Sequence, residues 1–234
     1  MHYKGGIKLS QRKLPISPSY NPTIHGDLVS RVNLLRFIRE WARAHEISRF
    51  SLVEFGVLNG ESLIEMTRQL RGGIEHIVGF DTFSGIPAHK VSDLQDHANM
   101  PAFAAGSYAG SDLETVKSYI LACTDFPSTN LELIEGDFRD SLNEFELETT
   151  VNFPLIFHVD VDLYSSSHVA LEWIAKNAED GSWLLLDDYW CYRGHPRMGQ
   201  RKAFDEVFLK NSRIEATPYT NYKGFGRAFI LNLK

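Results

Sequence analysis

The chain has 234 residues, of which 43% are hydrophobic and 23% charged, and its net charge is −6. These proportions describe one ordinary folded domain and exclude a disordered chain, while the acidic balance excludes the dominating basic surface that nucleic acid requires. Two cysteines, Cys123 and Cys191, form neither a disulfide framework nor a metal-ligand spacing; no run approaches the ~20 apolar residues of a membrane span, and the start MHYKGGIKLSQRKLP lacks the core of a signal peptide, so the cytoplasm is the expected compartment.

Residues 1–26 carry Pro15, Pro18 and Pro22, which disfavour regular structure and predict either an arm suited to packing on the domain or on a second subunit of a homo-oligomer or, equally, a frayed terminus. Residues 27–234 read as one domain. With Asp27 as N-cap, Leu28, Val32, Leu35, Ile38 and Ala42 recur at helical spacing, and Leu34, Phe37 and Trp41 widen the stripe. FSLVEFG (Phe50 to Gly56) predicts a strand, VLNG a turn, and the next stretch a helix whose Leu63, Met66 and Leu70 share a face. Gly56 and Gly60 allow the backbone to pass close to a ligand, Asn59 is placed to cap the helix, and Glu54 suits a cofactor that bears an ammonium group. The turn lacks the third glycine of the dinucleotide fingerprint. That absence argues against a nicotinamide-dependent oxidoreductase, one rival reading; a non-catalytic nucleoside-binding subunit is the other.

HIVGFD (His76 to Asp81) predicts the second strand, and Asp81, 21 positions after Gly60, is placed to accept both ribose hydroxyls or, alternatively, to cap its own turn. Residues 82–110 lack a clear period, contain Pro87, Pro101, His89 and His97, and predict a lid over the ligand edge. Ser111 and Glu114 form a capping-box pattern for a helix through about Cys123, and Ser111 is counted with the cofactor contacts. LELIEGDF (Leu131 to Phe138) predicts a third strand and its exit. There Asp137 can bond an adenine amino group, and Phe138 either lies on the base or is core.

LIFHVDVD (Leu155 to Asp162) and WLLLDDY (Trp183 to Tyr189) predict adjacent parallel strands, joined by a helix with Val169, Ala170, Trp173, Ile174 and Ala178 on one face. Asp160, Asp187 and Asp188 then lie at strand carboxyl ends, where neighbouring strands are about 5 Å apart. Three such carboxylates need a counter-ion. With no cysteine or histidine cluster nearby, the hard cation Mg²⁺ is favoured over Zn²⁺. Asp162 has the parity of Asp160 and remains an alternative ligand, while His158 reads as a hydrogen-bonded histidine beneath the site. In YWCYRGHPRMGQR (Tyr189 to Arg201), Tyr189, Trp190 and Tyr192 offer faces for a sugar or aryl ring, and Arg193, His195, Arg197 and Arg201 concentrate charge for an anionic acceptor. The alternative is a solvated rim over a core tryptophan. Ala203, Phe204, Val207 and Phe208 mark a helix, and Arg213 to Thr217 and Ala228 to Leu233 mark strands. The alternation predicts a doubly wound α/β domain.

VEFGVLNGES, GFDTFSGIP, GDF, HVDVDLYSSS and DDY followed by GQRKAFDE occur in that order between about Ser51 and Phe208, and together they resemble the macrocin O-methyltransferase family. The resemblance implies a Rossmann-like class I methyltransferase fold, with a mostly parallel seven-stranded sheet whose last strand is antiparallel. It also implies S-adenosylmethionine as methyl donor, held where Glu54, Gly56, Asp81, Asp137 and Phe138 stand. A Mg²⁺ site at Asp160, Asp187 and Asp188, with Asp160 as general base, and a small hydroxylated, sugar-like or natural-product acceptor complete what it implies.

Overall fold

A computed structural model describes residues 29–88, 90–145 and 155–234; the expected arm, the Asp27 cap and His89 lie outside the described residues. Helix α1 (Arg31–Ala44) starts one residue after Ser30, whose hydroxyl accepts the Asn33 N–H at 3.1 Å. Its Leu34, Leu35, Ile38 and Ala42 are buried, as the periodicity predicts. The chain continues through β1 (Phe50–Phe55), α2 (Glu61–Gln69), β2 (Ile74–Asp81), α3 (Leu94–Asn99), α4 (Leu113–Thr124), β3 (Leu131–Glu135) and α5 (Phe138–Glu144). It then forms β4 (Leu155–Val159), α6 (Tyr164–Asn177), β5 (Ser182–Leu186), α7 (Gly199–Phe208), β6 (Ile214–Tyr222) and β7 (Gly226–Leu233).

The strands form a seven-stranded sheet in the order β3-β2-β1-β4-β5-β7-β6. All pairs from β3 to β5 are parallel, whereas β7 runs antiparallel to both β5 and β6. Side chains alternate across the sheet, and both faces are covered. Leu52, Ile77, Ile156, Trp183 and Leu185 join one core with α1, α2 and α4. Val53, Phe55, Phe80, Phe157, Leu184 and Leu186 join the other with α5, α6 and α7. A sheet buried on both faces explains why β1, β4 and β5 are near-continuous apolar runs. After β3 the chain returns to lay β4 beside β1, so a crevice opens at the carboxyl ends of these two strands. Among the described residues, no helix is long and apolar enough to cross a membrane.

Three local expectations are corrected. Gly60, left-handed at φ +84°, occupies the N-cap of α2, and the Asn59 side chain instead accepts the Ser111 N–H at 3.0 Å. Asp112, not Ser111, caps α4 and accepts the Thr115 N–H at 3.0 Å; serine and aspartate cap about equally well, and it is Asp112 that directly precedes the first helical residue, Leu113. The 82–110 insertion, although without a sequence period, is not without regular structure: it holds two short 3₁₀ turns around α3. Asp96 on α3 accepts the Tyr164 N–H at 3.0 Å and the Gly199 N–H at 3.1 Å, and Asp93 accepts from the Ser165 amide and hydroxyl. Neither α6 nor α7 has a capping side chain of its own. The insertion thus supplies both helices with N-terminal acceptors, where the helix dipole also favours a carboxylate. Asp96→Ala is expected to lower stability by about 1–3 kcal/mol through two orphaned N–H groups, with kinetic constants for the methyl donor little changed; urea unfolding tests this.

Candidate active site

The crevice at the carboxyl ends of β1, β2, β4 and β5 encloses about 550 Å³. Gly56, Asp81, Asp137 and Phe138 line one end, and Asp160, Asp162, Asp187 and Asp188 the other. Of the remaining sequence-predicted contacts, Glu54, Gly60 and Ser111 lie off its lining.

At the first end the glycine turn leaves β1 under tight constraint. Gly56 has φ +87°, and a Cβ there would stand 2.0 Å from the Asp160 carbonyl oxygen. The close approach that demands glycine is therefore to the exit of β4, which fixes the spacing between the two ends of the crevice. Asp81 holds the turn from the other side: one oxygen accepts the Val57 and Leu58 N–H groups at 2.7 and 2.8 Å, the other the Phe83 N–H at 2.8 Å. Asp137 caps α5 and pairs with Arg139, a hydrogen bond that keeps its carboxyl below the usual range. Phe138 packs edge-on against Phe55 at 5.6 Å, so its ring is part core and part crevice wall.

The other end concentrates negative charge. Atoms of His158, Asp160 and Asp187 lie within 4.8 Å of one another. Burial, then repulsion from Asp187 and Asp188, pushes Asp160 up to about 8. Burial and neighbouring carboxylates raise Asp162 and Asp188 to about 7. Asp187 differs: burial opposes its charge, but His158 and Lys223 outweigh that and hold it well below the usual range. His158 is fully buried with Nδ1 2.6 Å from Glu54 Oε1 and Nε2 3.4 Å from Asp187 Oδ1. Burial disfavours its cation, yet these two partners raise it to about 10. His158 is thus held between Glu54 and Asp187 beneath the crevice, the buried, hydrogen-bonded histidine that the sequence predicts. Glu54 faces this histidine from below the crevice, and its second oxygen is buried with no hydrogen-bond partner among the described residues.

A family model for macrocin-O-methyltransferase (TylF) matches residues 17–215. The chain belongs to this family. It is therefore an O-methyltransferase, on the fold that the strand order displays. Solved structures agree on that fold: the O-methyltransferase NovP is 21% identical with a TM-score of 0.65, over 87% of this chain and 80% of its own. The calicheamicin methyltransferase CalS11 is 21% identical with a TM-score of 0.59, over 86% and 80%. TomG from Streptomyces achromogenes, an O-methyltransferase of tomaymycin synthesis solved with S-adenosylmethionine, is 19% identical with a TM-score of 0.52, over 88% and 82%. A search of curated proteins finds no match.

Two cations beside Asp187 are absent from the sequence reading. Lys223, in the turn between β6 and β7, places Nζ 2.5 Å from Asp187 Oδ2, and Arg31 at the start of α1 approaches Asp187 Oδ1 at 3.9 Å while bonding Glu65 at 2.5 Å. The YKGFG turn signal was available for Lys223, but β6 runs five residues past Thr217 because Pro218 is tolerated on this edge strand at a break in register. Conversely, the Tyr189–Arg201 stretch does not line the crevice, except for Cys191. Tyr189 and Tyr192 are buried, Trp190 Nε1 donates to Asn221 at 2.8 Å, and Arg201 lies over the Trp190 ring at 5.2 Å. Arg193 and Arg197 are exposed outside the crevice, so neither they nor these aromatics form the expected acceptor wall.

Proposed function

We propose that the chain methylates a hydroxyl of a small polyhydroxylated, sugar-like acceptor, with S-adenosylmethionine as donor and Mg²⁺ held by Asp160, Asp187 and Asp188. The observation that carries this reading is the polarity of one crevice: a glycine turn and strand-end Asp81 and Asp137 at one end, clustered carboxylates, half-buried or buried, at the other. S-adenosylmethionine supplies a methyl group on a sulfonium, a strong electrophile that needs only an aligned nucleophile. Gly56, Asp81, Asp137 and Phe138 line the end suited to its nucleoside. The family and the S-adenosylmethionine bound to TomG support this choice of donor.

The acidic end fits a hard divalent ion on chemical grounds. Its donors are carboxylate oxygens, and their raised pKa values mark a charge deficit that Lys223 meets only at Asp187. When bound, such an ion lowers the pKa of an acceptor hydroxyl. Asp160, at the crevice wall, takes the hydroxyl proton. His158 and Glu54 hold Asp187 in place from beneath. The grouping of Asp160 with Asp187 favours Asp160 over Asp162 as ligand.

Calorimetry with S-adenosylhomocysteine and NAD tests the donor, and binding of NAD alone would sink the proposal. Methyl transfer should be lost in EDTA and return with Mg²⁺; full activity in EDTA would remove the metal from it. Stability gives a second test. The folded protein holds protons on Asp160, Asp162 and Asp188 up to pH 7–8, whereas unfolded aspartate loses them near 4. The native state thus binds more protons in this window, and stability falls as pH rises from 5 to 8. His158, raised to about 10, adds the same sign above pH 6.5. Thermal melts without metal should drop by several degrees from pH 5 to 8, and added Mg²⁺ should recover more of that loss at pH 8 than at pH 5.

A further inference from the structure

Seven large hydrophobic residues are exposed among the described residues, and two of them, Tyr108 and Phe225, line the crevice. They are 52% and 56% exposed and come from different elements, the end of the 82–110 insertion and the β6–β7 turn. Both stand at the acidic end. Tyr108 lies within electrostatic reach of Asp162, Asp188 and Asp160, and Phe225 follows by two residues the lysine that bonds Asp187.

Their backbones are fixed while about half of each side chain is open, the Tyr108 ring leaning on Phe103 with centroids 6.3 Å apart. Tyr108 is left-handed at φ +56°, just after Gly106 and Ser107 pair with Ile86 through two 2.8 Å hydrogen bonds. The Phe225 carbonyl accepts the Trp190 N–H at 2.8 Å, and a Cβ at the next residue, Gly226, would meet the Tyr222 ring at 2.6 Å. Rigid backbone that holds an aromatic ring uncovered beside a polar site is the pattern of a ligand wall, since apolar faces complement a ligand's flat faces while a few polar groups orient it.

We propose that Tyr108 and Phe225 select the acceptor by its shape: a ring with an apolar face for these side chains and adjacent hydroxyls on the edge that meets the carboxylates. This deepens the methyltransferase reading and rests on it for the identity of the second ligand. A pyranose and a catechol share this chemistry, whereas an acyclic polyol has the hydroxyls without the face.

The test is equilibrium binding to the S-adenosylhomocysteine-saturated protein, read by saturation-transfer NMR titration. The probes are a methyl hexopyranoside, catechol and mannitol. At least one ring probe should bind the native protein, and mannitol should not. Tyr108→Ala and Phe225→Ala should each weaken the ring probe about tenfold and leave S-adenosylhomocysteine affinity within about twofold, whereas Tyr108→Phe and Phe225→Tyr should bind it nearly as the native protein does. Equal binding of mannitol, no binding of either ring, or alanine variants that bind like the native protein would overturn the inference. Ring binding without methyl transfer to any hydroxyl would instead count against the proposed reaction, so the two failures are separable.

Discussion

Asp160→Asn is expected to lower kcat for methyl transfer by about 10²–10⁴-fold, the usual contribution of a positioned general base. The same change should stabilise the metal-free protein. Asp160 is half-buried beside Asp187 and Asp188, and its carboxyl is pushed up to about 8 because the charged form is desolvated and repelled there. The amide is nearly isosteric and uncharged, so it removes that repulsion without leaving a cavity. Melting temperature at pH 8 should rise, S-adenosylhomocysteine affinity should stay within a few-fold of native, and the slope of stability against pH should flatten. Active sites commonly hold such an opposition between stability and function. Activity within tenfold of native would remove Asp160 from the chemistry, and an unchanged melting temperature would show that the repulsion is relieved by other means.

The sequence made most of the scaffold legible because a doubly wound sheet imposes simple local patterns. Strands buried on both faces read as LVEF, LIFHV and WLLL, and carboxylates at their ends fall on one edge of the sheet whatever the details of packing. That is why Asp160, Asp187 and Asp188 could be grouped although the first two stand 27 positions apart. Side chains that reach the site from elsewhere left no comparable trace. Arg31 begins a helix with an ordinary apolar stripe, and Lys223 lies beyond a proline that marks a strand end in most settings. Asp93 and Asp96 sit in a segment without periodicity, and their partners are N–H groups 68 to 103 positions away in sequence. The Tyr189–Arg201 stretch misled for the opposite reason. It leaves a site strand directly, but Tyr192 and Arg193 are left-handed at φ +55° and +57°, and the aromatic side chains pack into the body of the protein instead of the crevice. Adjacency in sequence to Asp188 did not give adjacency in direction.

Gly56→Ala is expected to be among the most damaging single changes outside the carboxylates, although it adds one methyl group. Two costs act together. At φ +87° an L-residue pays about 1–2 kcal/mol for its backbone, and the new Cβ would stand 2.0 Å from the Asp160 carbonyl oxygen and 2.9 Å from its carbon. Neither obstacle is the end of a flexible side chain; both belong to the strand exit that carries Asp160, which the Asp160 N–H ties to the Phe55 carbonyl at 2.9 Å. Relief requires β1 and β4 to separate where they pair, and overpacking of this kind costs about 1–3 kcal/mol more. A total of about 3–5 kcal/mol should appear in urea unfolding, and any protein that folds should bind S-adenosylhomocysteine more weakly and transfer methyl groups poorly, because both ends of the crevice depend on this contact. Gly72→Ala is the informative control. Its φ of +82° is similar, but nothing lies within 4 Å of its added Cβ, so only the backbone cost should remain and the kinetics should be native. If Gly56→Ala behaves like Gly72→Ala, the turn is looser than this packing requires, and the spacing between donor end and acidic end is set elsewhere.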